Sequence, residues 1–298
     1  MEPVKGILCA TVTPLRADET VDTEAVGRIC HHVVDGGVDG FLVLGSTGEG
    51  LALDREAKKA IIRTTRESIP SNMPLIAGCG ATSTKMAIDN IHDAEECGAD
   101  AVILTPPCFY PFGDDALVTY FTECAKASHV PVYLYNISRF VGVRISPEVV
   151  RRLLDNPKIQ GIKESDRDEA YLQELLKVSA DRKDFAVIQG SERIFLKSFD
   201  WGCPAGVTVV GNLAPDITPK LYKAWKEGDR ATAEKMQAKS LDYVKVITML
   251  GMFPQELKAC MAYRSLCESH MTSPFPKMPD DKKEELIQAL IELEKQYA

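Results

Sequence analysis

Eight short apolar runs, separated by stretches of helical periodicity, constrain this chain more than any other feature. They are Gly6–Val12, Val38–Leu44, Met73–Cys79, Asp100–Thr105, Val130–Tyr135, Ile159–Lys163, Phe185–Gln189 and Gly206–Val210. Each is almost continuously apolar and does not alternate, as expected of parallel strands covered on both faces. Between them, Val150, Leu153 and Leu154 recur at helical spacing, as do Leu172, Leu175 and Leu176, giving one apolar stripe per segment. Ser146-Pro147-Glu148 reads as an N-cap, a first-turn proline and an early acid, and Asp22 and Asp54 open two other helices. Gly37-Val38-Asp39-Gly40 and Gly98-Ala99-Asp100-Ala101 lead into their strands with the same texture, as repeated βα units would.

Eight such units predict a closed (β/α)8 barrel, an α/β TIM-barrel fold, over residues 1–217. An open doubly wound sheet is the other topology, but neither glycine-rich segment has dinucleotide-binding spacing. Residues 218–298 show no further strand. Three or four helices, broken at Pro254 and at Pro274, Pro276 and Pro279, predict a helical extension packed on the barrel.

Charge and composition narrow the function classes. A net charge of −8 without a basic tract argues against nucleic acid as a partner. No stretch approaches the ~20 apolar residues of a membrane span. The opening Met1-Glu2-Pro3-Val4-Lys5 does not read as a signal peptide, so a cytoplasmic protein is expected. The nine cysteines form no C-x-x-C pair and are expected to be buried thiols of a reducing compartment. His31, His32, His92, His129 and His270 offer no i, i+4 pair, so no metal site is expected.

In a barrel, chemistry gathers at the C-terminal ends of the strands. The second run ends in Gly45-Ser46-Thr47-Gly48-Glu49-Gly50, which reads as a carboxylate or anion site or as a plain glycine turn. Leu51 stands where a P-loop needs lysine. Tyr135 closes the fifth run, as a proton-passing phenol or an amphipathic core residue. Lys163 closes the sixth. Pointing into the barrel mouth, such an amine is a nucleophile; otherwise it snorkels to solvent or pairs with a carboxylate. The seventh run leads into Gly190-Ser191-Glu192-Arg193, either a site for a substrate hydroxyl or carboxylate or an ion pair at a helix start. Cys79 and Cys108 lie near strand ends without a neighbouring histidine.

Together, Gly45-Ser46-Thr47-Gly48-Glu49, Tyr135-Asn136 and Gly161-Ile162-Lys163-Glu164 make the chain resemble the dihydrodipicolinate synthase/N-acetylneuraminate lyase family over essentially its whole length, from Thr11-Val12-Thr13-Pro14 to the helical extension. The resemblance implies a class I aldolase-type lyase in which Lys163 forms a Schiff base with pyruvate or another 2-keto acid. Tyr135 would shuttle protons, Ser46 and Thr47 would hold the carboxylate, and Val207 would lie against bound pyruvate. It also implies no metal or organic cofactor and a homotetramer built from dimers.

The chain departs from the family's patterns at three points. Where the synthases carry a carboxylate-binding arginine, this chain has Phe140, with Arg139 beside it. Where they borrow a tyrosine from the neighbouring subunit, it has Phe109, with Tyr110 as the candidate replacement. Where the neuraminate lyases have Asp-Glu, it has Glu192-Arg193. The leading expectation is an aldolase or lyase acting on a 2-keto-3-deoxy sugar acid or an N-acetylneuraminate-like substrate. The alternatives are 4-hydroxy-tetrahydrodipicolinate synthesis, dehydration of a 2-keto-3-deoxy sugar acid, and a non-catalytic keto-acid-binding barrel.

Overall fold

The strands are apolar on both faces because each face has its own core. In the computed structural model, which describes residues 3–297, the strands are β1 (Gly6–Ala10), β2 (Gly40–Val43), β3 (Leu75–Gly78), β4 (Ala101–Leu104), β5 (Val132–Asn136), β6 (Ile159–Glu164), β7 (Ala186–Gln189) and β8 (Ala205–Thr208). All pair in parallel, in sequence order, and β8 closes on β1. Leu8, Leu42, Ile76, Ile103, Tyr133, Ile188 and Val207 fill the barrel. The residues between them, such as Cys9, Phe41, Ala77, Leu104, Leu134 and Val187, face the helices. Burial on two sides removes the polar alternate positions of a half-exposed strand.

The helices are α1 (Thr23–Asp35), α2 (Arg55–Ser68), α3 (Thr84–Glu96), α4 (Asp114–Ala127), the short α5 (Ser138–Val141), α6 (Pro147–Leu153), α7 (Glu169–Val178), α8 (Phe195–Asp200), α9 (Ile217–Glu227), α10 (Arg230–Val246), α11 (Gln255–Tyr263) and α12 (Asp280–Tyr297). Asp22, Asp54 and Ser146 each accept a hydrogen bond from the backbone N–H three residues on. Such a cap contributes about 1 kcal/mol. The two similar junctions do the same job twice: Asp39 accepts from Ile7 N (2.7 Å) and Asp100 from Leu75 N (2.9 Å), each satisfying the start of the preceding strand.

Several strands end sooner than their apolar runs because the next residues bond elsewhere. After β1, Val12 N donates to Asn212 Oδ1 (3.1 Å), while Asn212 Nδ2 donates to Ala10 O (2.9 Å), stitching the barrel's seam. After β8, Val210–Asn212 turns into a 3-10 segment. Gly161 on β6 makes room inside the barrel: a Cβ there would lie 2.8 Å from the Tyr133 ring and 2.4 Å from Ala186 O.

Beyond β8, α9 packs against β1 and α8, α10 against α9, and α12 against α10 and α11. Leu257, Met261, Leu286 and Leu290 are buried and continue the outer core. Among the described residues no helix is long and apolar enough to cross a membrane.

Candidate active site

At the C-terminal end of the barrel lies a cavity of about 290 Å³. Ser46 and Thr47 from the loop after β2, Tyr135 from β5, Lys163 from β6, Gly190 and Glu192 from the loop after β7, and Val207 from β8 all line it. Tyr135 and Lys163 are opposite each other in the β5–β6 register, so both side chains leave the sheet on the same inner face. Lys163 is 4% exposed, and its Nζ stands 3.9 Å from the centre of the Tyr135 ring. The Tyr135 hydroxyl shares a hydrogen bond of 3.2 Å with Ser46 Oγ. Burial pushes the Tyr135 phenol up. The charge of Lys163 and hydrogen bonds from Lys163 and Ser46 outweigh that and hold it below the ordinary phenol value. A buried amine, an acidified phenol and a hydroxyl in series can add to a carbonyl and carry its protons.

Gly190 is set by close approach. A Cβ there would fall 2.0 Å from Ser165 Oγ and 2.9 Å from Lys163 Cε, so any side chain would displace the lysine stem. Glu192 is turned away from Arg193: its Oε1 accepts from Thr208 Oγ1 (3.0 Å), Val210 N (3.1 Å) and Val209 N. The ion-pair alternative for Glu192 and Arg193 therefore does not form. Two backbone N–H groups at the start of the 3-10 turn offer the carboxylate better-placed donors than a flexible guanidinium. Tyr110 does not line this cavity; it is 62% exposed and stacks edge-on against Phe109 at 4.9 Å. Arg139 does line it, with its Nη1 donating to Ser165 O (2.8 Å), and Phe140 lines it as well.

The loop after β2 is held from behind. Leu44 and Glu49 both adopt left-handed backbone, with φ of 59° and 55°, which costs each an L-residue's usual comfort. Glu49 is fully buried against Lys258 of α11, with Oε1 2.5 Å from Nζ, while its Oε2 accepts from Thr272 N (2.8 Å) and Oγ1 (2.9 Å). Lys258 also donates to His270 O (2.6 Å). Thr13 Oγ1 donates to Gly48 O (2.7 Å), which gives the Thr-Val-Thr-Pro opening its place in the site. Cys79 is buried, and desolvation raises its thiol well above its ordinary value, so it stays protonated.

Ser165, Arg167 and, from the end of α10 and the turn after it, Val244, Ile247, Thr248 and Phe253 also line the cavity and were not singled out from the sequence. Ser165 and Arg167 lie within four residues of Lys163, so reading further into the loop would have reached them. The α10 residues carry no sequence signal, because nothing local shows that this helix leans over the barrel mouth.

Comparison with known proteins decides the family. The model of the dihydrodipicolinate synthetase family matches residues 3–293. The chain belongs to that family. It is a lyase of the class I, pyruvate-dependent aldolase type. Among similar family members, a 4-hydroxy-tetrahydrodipicolinate synthase of Pelobacter propionicus is 30% identical over 93% of this chain and 94% of its own. A DapA-like lyase of Halobacterium salinarum is 29% identical over 97% of this chain and 93% of its own. Among solved structures, YagE of E. coli K12, a prophage protein of the dihydrodipicolinic acid synthase family in complex with pyruvate, superposes with a TM-score of 0.92 at 26% identity. That superposition covers 97% of this chain and 98% of YagE. The dihydrodipicolinate synthase of Bacteroides thetaiotaomicron gives 0.92 at 27%, covering 98% and 99%.

Proposed function

We propose that this family member makes or breaks a carbon–carbon bond in a 2-keto acid, with pyruvate as one fragment, through a Schiff base on Lys163. The observation that carries the reading is the buried Lys163 amine set over the Tyr135 ring at the mouth of the barrel. The pyruvate bound by the E. coli neighbour supports pyruvate as the fragment. In the cleavage direction the free amine adds to the C2 carbonyl and water leaves, giving a protonated imine. The C3–C4 bond then breaks, its electron pair passing into the enamine, while the proton of the C4 hydroxyl goes to Tyr135. The aldehyde departs, C3 takes up a proton and water releases pyruvate. Ser46 and Thr47 hold the C1 carboxylate and Val207 packs on the pyruvate methyl. The working unit is a homotetramer that covers the exposed Phe109 and Tyr110.

Borohydride trapping with pyruvate, followed by intact mass and peptide mapping, tests this reading. A pyruvate-sized adduct on Lys163 is expected. A folded protein that gives no adduct with pyruvate or longer 2-keto acids would leave only ligand binding.

A second reading is 4-hydroxy-tetrahydrodipicolinate synthesis from pyruvate and aspartate semialdehyde. Arg139 supports it, because that guanidinium lines the cavity although Phe140 occupies the expected position. Condensation of the trapped enamine with aspartate semialdehyde faster than with other aldehydes is the result that would select it.

A further inference from the structure

Three arginines face the same cavity from three consecutive loops: Arg139 after β5, Arg167 after β6 and Arg193 after β7. Among the described residues none of the three has a carboxylate within ion-pair distance, although most other arginines of the protein have one. The one acid in the cavity wall, Glu192, is already committed to Thr208 and two backbone N–H groups. Arg167 is held there on left-handed backbone, φ 66°. Burial, and then repulsion from Arg139 and Arg193, lowers its affinity for a proton, so the three charges feel one another across the cavity. Ser165, 3% exposed, also lines the cavity, with its hydroxyl beside Lys163 and Tyr135 and not among the guanidiniums. Clustered like charges without carboxylate partners repel one another, and an anion held between them relieves that repulsion.

Resting on the Schiff-base reading, we infer that the substrate is a 2-keto acid whose far end carries a second anionic group, a carboxylate or a phosphate, received by Arg167 and Arg193. The C1 carboxylate goes to Ser46 and Thr47 on the opposite side of Lys163, which leaves the arginines to the other end of the molecule. Arg139 is partly occupied by Ser165 O and plays the lesser part. A planar guanidinium takes either a carboxylate or a phosphate in a two-point grip, and a neutral polyol gains little from it.

The test uses borohydride trapping, which reads imine formation and needs no turnover. The concentration for half-maximal trapping is measured for 2-oxoadipate against 2-oxohexanoate, which lacks the second carboxylate, and for 2-keto-3-deoxygluconate against its 6-phosphate. The member bearing the second anionic group in at least one pair should half-saturate at a concentration about tenfold lower or more, as expected for one charge-assisted contact. The pair showing the larger gap separates carboxylate from phosphate. Arg167→Gln and Arg193→Gln, made singly at exposed side chains, should each shrink that gap severalfold. Equal half-saturation within both pairs, with pyruvate still trapped on Lys163, overturns the inference and leaves the Schiff-base reading standing. A gap that persists unchanged in both variants overturns the assignment to these arginines. Absence of any adduct on Lys163 removes the function reading, and this inference with it.

Discussion

The two sides of the barrel mouth are built on opposite principles. On the β2 side the loop Gly45–Gly50 is small, almost wholly buried and anchored by a charge pair that water does not reach, Glu49 with Lys258. It also borders a second, largely apolar cavity of about 210 Å³, lined by Leu44, Leu51, Ile103, Val141 and Phe275 and sharing Ser46 and Tyr135 with the first. On the β5–β7 side Arg139, Arg167 and Arg193 are exposed and, among the described residues, have no carboxylate in ion-pair distance. The first side is held by the chain's own groups, and the second is where the inferred second anionic group would bind. Lys163 and Tyr135 stand between the two, so one side can fix what all substrates share while the other selects among them.

Removing the boundary itself has the largest effect. Lys163→Ala should cost on the order of 10⁴-fold or more in turnover, with an unchanged circular dichroism spectrum. Retained turnover would show that no imine forms there. Tyr135→Phe keeps the ring under the Lys163 amine and removes the hydroxyl, so a loss of ~10²–10⁴-fold in kcat is expected if it moves protons. Near-normal kcat would assign that role elsewhere.

The anchored side should break through stability. Lys258→Met strands the Glu49 carboxylate in the interior, which costs about 3–5 kcal/mol. The double variant with Glu49→Gln should recover much of that, because no unpaired charge remains. Denaturant midpoints would decide it, and equal losses in the two proteins would mean that packing around Lys258 matters more than the pair.

The smallest effect belongs to the other side. Glu164, 0% exposed, accepts from Asn136 Nδ2 (2.8 Å) and Asp166 N (2.7 Å), yet burial, with Asp166 nearby, pushes its carboxyl from 4.5 up to about 6. The folded state therefore holds a proton that the unfolded chain has already released between those two pH values. Stability should fall as pH rises from 4.5 to 6 and return as pH drops, by at most about 2 kcal/mol. Glu164→Gln should flatten that slope; an identical slope in the variant would place the titration in another group.

Much of this was legible in the residues. The eight runs could be read as parallel strands because a strand buried on two sides loses its polar alternation; eight units without dinucleotide-binding spacing then favour a closed barrel over an open doubly wound sheet. The caps at Asp22, Asp54 and Ser146 could be read because capping is local chemistry, completed within three residues. Lys163 and Tyr135 stood out as polar groups at the ends of apolar strands. The fate of Glu192 could not be read: beside Arg193 in the sequence, it accepts from the Thr208 hydroxyl and the backbone of Val209 and Val210, sixteen to eighteen residues further on. Nor could the part played by Glu49, whose partners lie more than two hundred residues away.

The sequence by itself determined the elements, their parallel pairing and the strand ends where chemistry could sit, since periodicity and capping act over a few residues. Only the tertiary structure decided which charges are spent and which are free. Glu49 is paired with Lys258 and Glu192 is hydrogen-bonded by residues far along the chain, whereas Arg139, Arg167 and Arg193 are brought together from separate loops with no carboxylate in ion-pair distance among the described residues. A charge's partner is whatever lies a few ångströms away, and closing the barrel is what sets those distances.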